Sequence, residues 1–145
     1  MAASFARIFQ PEDFTPPPPS LPPLTPAAYL ALRRKASGLS VEEVARRLAK
    51  TPDAVPVAAD LLRSLETPGV VAKLCHTLEH LRAAFAFEPE VYRQLQERPG
   101  RHPNVCRSCG CTAWDEPEPF GDAVRMVSAT SCARCDQAGA EGVGQ

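Results

Sequence analysis

The chain has 145 residues and a formal net charge of −1, with a pI of about 6.3, so any affinity for nucleic acid must come from a local patch rather than a global field. That length fits one ordinary domain, or a domain of about 70 residues followed by a small metal-stapled module. Half of the 16 prolines fall between Pro11 and Pro26, and five of the six cysteines between Cys106 and Cys135, which favours the second arrangement.

Residues 1–24 form a proline-rich arm expected to be disordered, with Pro16 to Pro19 consecutive and a composition that favours extended polyproline II over a packed core. Phe5, Ile8, Phe9 and Phe14 punctuate it, a pattern suited to docking on a protein partner.

From Thr25 the pattern changes to helices. Thr25-Pro26 reads as an N-cap followed by the residue best tolerated in a first turn. The helix it opens should run to about Ser37, with Gly38 as its left-handed stop. Ser40-Val-Glu-Glu43 is a capping box, spanned by a staple of Leu39 and Val44. The second helix carries Val41, Val44, Ala45 and Leu48 on one face and Glu42, Arg46 and Arg47 on the other. After a proline-bearing turn, a third helix is expected from Pro56 to Glu66, burying Leu61 or Leu62 together with Leu65. Thr67-Pro68 reads as a second cap-plus-proline start, opening a fourth helix with the stripe Val70, Leu74, Leu78, Leu81 and Phe85. Phe87 to Leu95 would be a fifth, completing a compact helical domain over residues 25–97.

Residues 98–104 read as a linker and 105–136 as the metal module, with 137–145 a flexible Gly-rich tail. In the module, Cys106-Arg-Ser-Cys109 and Cys132-Ala-Arg-Cys135 are separated by 22 residues, enough chain for a β-hairpin. Two such turns bring four thiolates to one tetrahedral point, so the pattern predicts a single structural Zn2+ on Cys106, Cys109, Cys132 and Cys135, with iron as the alternative. Four protein ligands leave no open coordination position, so a catalytic zinc is not expected, and with no Gly-rich phosphate loop, nucleophile elbow or paired-carboxylate constellation the chain is expected not to be an enzyme. Gly110 relieves the first turn, and Ala123 to Val127 is the strand candidate. Trp114 and Phe120 are placed to cover the site. Cys111 is read as a non-ligand thiol, His102 as a linker histidine, His76 and His80 as surface or half-buried side chains, and Cys75 as a small buried hydrophobe. No span of roughly 20 apolar residues and no secretory pattern occurs, so the expected setting is cytoplasmic, without a membrane partner.

Two resemblances follow from these residues. The string Cys-x-x-Cys-Gly-Cys-Thr closed by Cys-x-x-Cys resembles zinc ribbons of bacterial and phage-associated proteins. The segment from Leu32 through Ser40-Val-Glu-Glu43 to Leu48 resembles the Cro/phage-repressor (XRE) type of helix-turn-helix domain, with Ala45 at the small position where two helices touch. That likeness implies a mainly α fold, a compact five-helix domain ahead of a small β zinc ribbon, and a bacterial or phage transcription regulator that binds duplex DNA. Backbone-positioning contacts would fall to Arg33, Arg34, Lys35, Arg46, Arg47 and Lys50, and base reading to Arg63. The turn before the third helix is longer and richer in proline than the family's. The alternative is an interaction adaptor or phage assembly component built on the same helices.

Overall fold

The computed structural model describes residues 21–115 and 123–143, with side chains as far as Ala138. Most of the proline-rich arm, with Phe5, Ile8, Phe9 and Phe14, lies outside the described residues, as does Phe120. The structure is mostly helical: α1 (Pro26–Ala36), α2 (Val41–Leu48), α3 (Val55–Leu65), α4 (Cys75–Arg82), α5 (Pro89–Gln94) and α6 (Ala133–Val143). Short 3-10 turns at Pro52–Ala54 and Pro99–Arg101 link them.

The local signals around α1 and α2 act as their chemistry requires. Thr25 accepts the Ala28 N–H at 3.1 Å through its hydroxyl, and Gly38 closes the helix at φ +72°. In the capping box the Ser40 hydroxyl accepts the Glu43 N–H at 3.1 Å, and the Glu43 carboxylate accepts the Ser40 N–H at 2.7 Å. Two orphan donors of the α2 N-terminus are thereby satisfied.

These helices close around Tyr29, Leu30, Val44, Leu62, Leu81, Val91 and Tyr92, with the tilted Phe85–Phe87 pair at 5.3 Å between centroids. Each buried tyrosine finds a partner for its hydroxyl. Tyr29 accepts the Glu88 N–H at 2.9 Å and Tyr92 the Ala72 N–H at 2.8 Å, so each ring pins a loop to the core. α2 and α3 pack directly against one another. Of the two leucines open for burial on α3, Leu62 is inside and Leu61 outside.

Several expectations change. The fourth helix begins at Cys75, not at Thr67-Pro68. Gly69 there adopts φ +89°, the Thr67 hydroxyl donates to the Arg63 carbonyl, and the chain turns rather than caps. Val70 and Leu74 therefore drop out of the apolar stripe and are exposed, while Leu78, Leu81 and Phe85 remain buried. Cys75, expected inside, is exposed at the start of α4; His76 and His80 are exposed, as surface histidines should be. The segment from Gln137, expected as a flexible tail, is helical as far as Val143. The linker is anchored too: the His102 ring lies 2.8 Å from the Glu97 carbonyl, and Val105 is buried in the helical core.

Among the described residues no strand forms. Antiparallel pairing is confined to one bridge, Met126 with Cys132, flanked by Val127 N–H to Ser131 O at 3.0 Å and Ala133 N–H to Arg125 O at 2.8 Å.

Candidate metal centre and the cationic surface

The first knuckle is shaped by its backbone. Gly110 donates its N–H to the Cys106 carbonyl at 2.8 Å, and Cys106 donates to the Cys111 carbonyl at 2.9 Å. Gly110 sits at φ +77°, a conformation open to glycine and costly for other residues. A Cβ there would also meet Arg33 Cδ at 2.8 Å, so the knuckle lies directly against α1. The second knuckle follows the Met126–Cys132 bridge and runs into α6. The Arg107 N–H, donated to the Thr130 carbonyl at 2.9 Å, ties the two halves together.

These turns converge on sulfur. The thiols of Cys106, Cys109, Cys111 and Cys132 all lie within 4.8 Å of one another, with Cys109 and Cys132 Sγ 3.9 Å apart. Four thiolates at zinc-bond length about a tetrahedral ion stand roughly 3.8 Å apart, so the cluster is near that size. Cys135 stands beside this set. Its N–H donates to Cys132 Sγ at 3.4 Å, and it packs against the cluster. The two Cys-x-x-Cys pairs are thus brought together, and Cys111, read from sequence as a bystander, joins them. Its signal was present in the Cys-Gly-Cys string.

The electrostatics suit a cation. Burial pushes the Cys106 thiol up, but the N–H groups of Cys109, Cys132 and Ser108 directed at its sulfur outweigh that, and it is drawn down to about 6. Burial first, and neighbouring thiols second, raise Cys111 and Cys135, and burial raises Cys109 as well. One sulfur is ready to carry charge. Burial holds Cys109, Cys111 and Cys135 against ionisation, and a positive ion would offset that cost.

Trp114, expected to cover the site, is 72% exposed and does not shield it. The residues after the first knuckle instead build a latch. Thr112, fully buried, donates its hydroxyl to Asp115 Oδ1 at 3.2 Å and accepts the Trp114 N–H at 3.2 Å. Asp115, so held, faces Arg33 Nη1 at 3.3 Å, with both side chains under 15% exposed. Arg33 Nε donates to the Ala86 carbonyl at 3.1 Å and Nη1 to the Cys109 carbonyl at 3.4 Å. One guanidinium therefore joins α1, the loop after α4 and the first knuckle.

The cations expected to face DNA divide into two groups. Arg34 is buried, its fork on Glu66 at 2.6 and 2.9 Å and its Nη1 on the Leu39 carbonyl at 2.9 Å. Arg63 on α3 is held by Glu42 at 2.6 Å and Asp60 at 3.3 Å. Arg33, Arg34 and Arg63 thus have internal partners. Lys35, Arg46 and Lys50 are exposed with no ion-pair partner among the described residues, and Arg47, also exposed, donates to the Ala84 carbonyl at 2.9 Å. The outer side of α3 presents Val57 and Leu61, and Val57 is 71% exposed.

No helix among the described residues is long and apolar enough to cross a membrane. No protein-family model, curated protein or solved structure matches this chain.

Proposed function

We propose that this chain is a metal-stapled helix-turn-helix protein that works by binding rather than catalysis, with one structural Zn2+ held in an all-thiolate centre. The observation that carries the metal reading is the convergence of four thiols within 4.8 Å, a soft donor set suited to Zn2+ over harder cations. Bound there, zinc supplies cross-linking and charge neutralisation. The surrounding amides stabilise the thiolates, and Arg33 with Asp115 holds the knuckle on α1. The β-ribbon pairing expected around this centre belongs to the same proposal.

The partner we assign to the helices is duplex DNA, gripped through phosphates as a regulatory factor of bacterial or phage type would grip it. Support comes from the exposed Lys35, Arg46, Arg47 and Lys50 along the end of α1, α2 and the turn that follows. Base reading by Arg63 would have to displace its two carboxylate partners, and the start of α3 offers Val57 and Ala58 rather than donors. A mobility-shift titration on mixed-sequence duplex at low salt tests the assignment, with binding expected to weaken steeply as salt rises. The outward Val57 and Leu61 favour a second reading, a protein-binding adaptor, which takes over if the zinc-loaded protein leaves duplex DNA unshifted.

A further inference from the structure

The centre holds more sulfur than a tetrahedral ion uses. Cys106, Cys109 and Cys132 are common to two possible donor sets. One is completed by Cys111, whose thiol lies within 4.8 Å of all three. The other is completed by Cys135, whose amide rests on Cys132 Sγ at 3.4 Å and which packs against the Cys106, Cys111 and Cys132 cluster. The two contenders sit in different parts of the chain. Cys111 belongs to the first knuckle, and its carbonyl is tied to the Cys106 N–H. Cys135 rides on the first turn of α6, beyond the Met126–Cys132 bridge.

Resting on the reading that this cluster binds zinc, we propose that Cys111 and Cys135 are interchangeable fourth ligands for one ion. With Cys135 bound, α6 is fastened to the metal; with Cys111 bound, the metal stays while α6 loses that fastening. The exchange is a ligand substitution without oxidation or reduction. One Zn–S bond breaks as the other forms, the arriving thiol releases its proton to water and the departing thiolate takes one up. Total thiolate number and site charge are unchanged. The centre then sets the attachment of α6 without a cost in metal occupancy, which a strict four-cysteine site cannot do.

The test uses the full chain with Co2+ as an optical probe and Zn2+ in competition with a chromophoric chelator. Cys111→Ser and Cys135→Ser should each bind one equivalent of metal with four-thiolate charge-transfer intensity. If the contenders share the ion evenly, each loses about twofold in affinity, and sharing as uneven as about nine to one keeps the larger loss within roughly tenfold. Cys111→Ala repeats the first measurement without placing a hydroxyl in a buried position. The double variant should fall to three-thiolate intensity and lose roughly a hundredfold or more in affinity. Hydrogen exchange across residues 133–143 should slow in Cys111→Ser, where Cys135 is the only remaining choice, and quicken in Cys135→Ser.

Loss of tight binding in Cys135→Ser alone would establish the two Cys-x-x-Cys pairs as the fixed set and overturn the exchange. Loss in both Cys111→Ser and Cys111→Ala would make Cys111 a fixed ligand and overturn it equally. A wild-type protein that binds neither Co2+ nor Zn2+ would instead refute the metal reading beneath it.

Discussion

Arg34→Ala should destabilise the helical domain by about 3 kcal/mol, a cost expected when one partner of a buried charge pair is removed. The substitution deletes two charge-assisted bonds to Glu66 at 2.6 and 2.9 Å and one bond to the Leu39 carbonyl at 2.9 Å. Bonds to charged groups contribute about 1.5–3 kcal/mol each. Both side chains retain 11% exposure, so water recovers part of the loss and the low end of the range applies. The structural effect is spread over three elements, because this side chain joins the end of α1, the loop before α2 and the cap of α3. Urea unfolding of the zinc-loaded protein, followed by far-UV circular dichroism, measures it. A double-mutant cycle with Glu66→Ala isolates the pair. A loss below about 1 kcal/mol, the ordinary level for exposed ion pairs, would refute the view that Arg34 is a structural residue.

Ser40→Ala should cost about 1 kcal/mol by uncapping α2, read by the same unfolding experiment. The Ser40 N–H, and then its hydroxyl, hold the Glu43 carboxyl below its ordinary value. The stabilisation this gives is therefore fully present above that ordinary value and lost as pH falls through the lowered one, and an acid titration of α2 amide shifts should show it. Gly110→Ala should weaken metal binding and lower thermal stability by roughly 1–2 kcal/mol, through a strained positive φ and a collision with Arg33, measurable by calorimetry and chelator competition. Arg46→Ala and Lys50→Ala should each weaken DNA binding on every sequence and reduce the salt slope by about one, while leaving stability within roughly 0.5 kcal/mol. A base-specific loss from either would contradict the phosphate assignment.

What was legible in the sequence was whatever is written locally. The capping box at Ser40, the proline start at Pro26 and the glycine stop at Gly38 each depend on neighbours within four residues, and each occurs as read. Thr67-Pro68 carried the same local signal as Thr25-Pro26 and misled. The preceding helix captured the threonine hydroxyl, and Gly69 allowed a turn that the cap motif does not encode. The cationic clusters failed in a different way. Nothing in a run of Arg33, Arg34 and Lys35 says which side chain has a carboxylate waiting far along the chain, so Asp115 and Glu66 had to be seen in space. The convergence of sulfur followed from spacing, yet Cys111 was set aside because motif counting stops at four ligands, whereas packing places a fifth thiol in the cluster.

The Arg33 bond to the Cys109 carbonyl spans 76 positions of sequence, and this has a kinetic consequence. Closing a loop of that length costs entropy that grows as the logarithm of its size, roughly 4 kcal/mol by ideal-chain scaling before other terms. Contacts within α2 and α3 have no such barrier and should form on a far shorter timescale. Val105 then becomes decisive. It is buried in the helical core immediately before Cys106, so formation of that core would carry the first knuckle towards Arg33. The chain between is no longer a free loop by that stage. On the zinc reading proposed above, metal capture should be a late phase in refolding, and trimming the anchor with Val105→Ala should slow it.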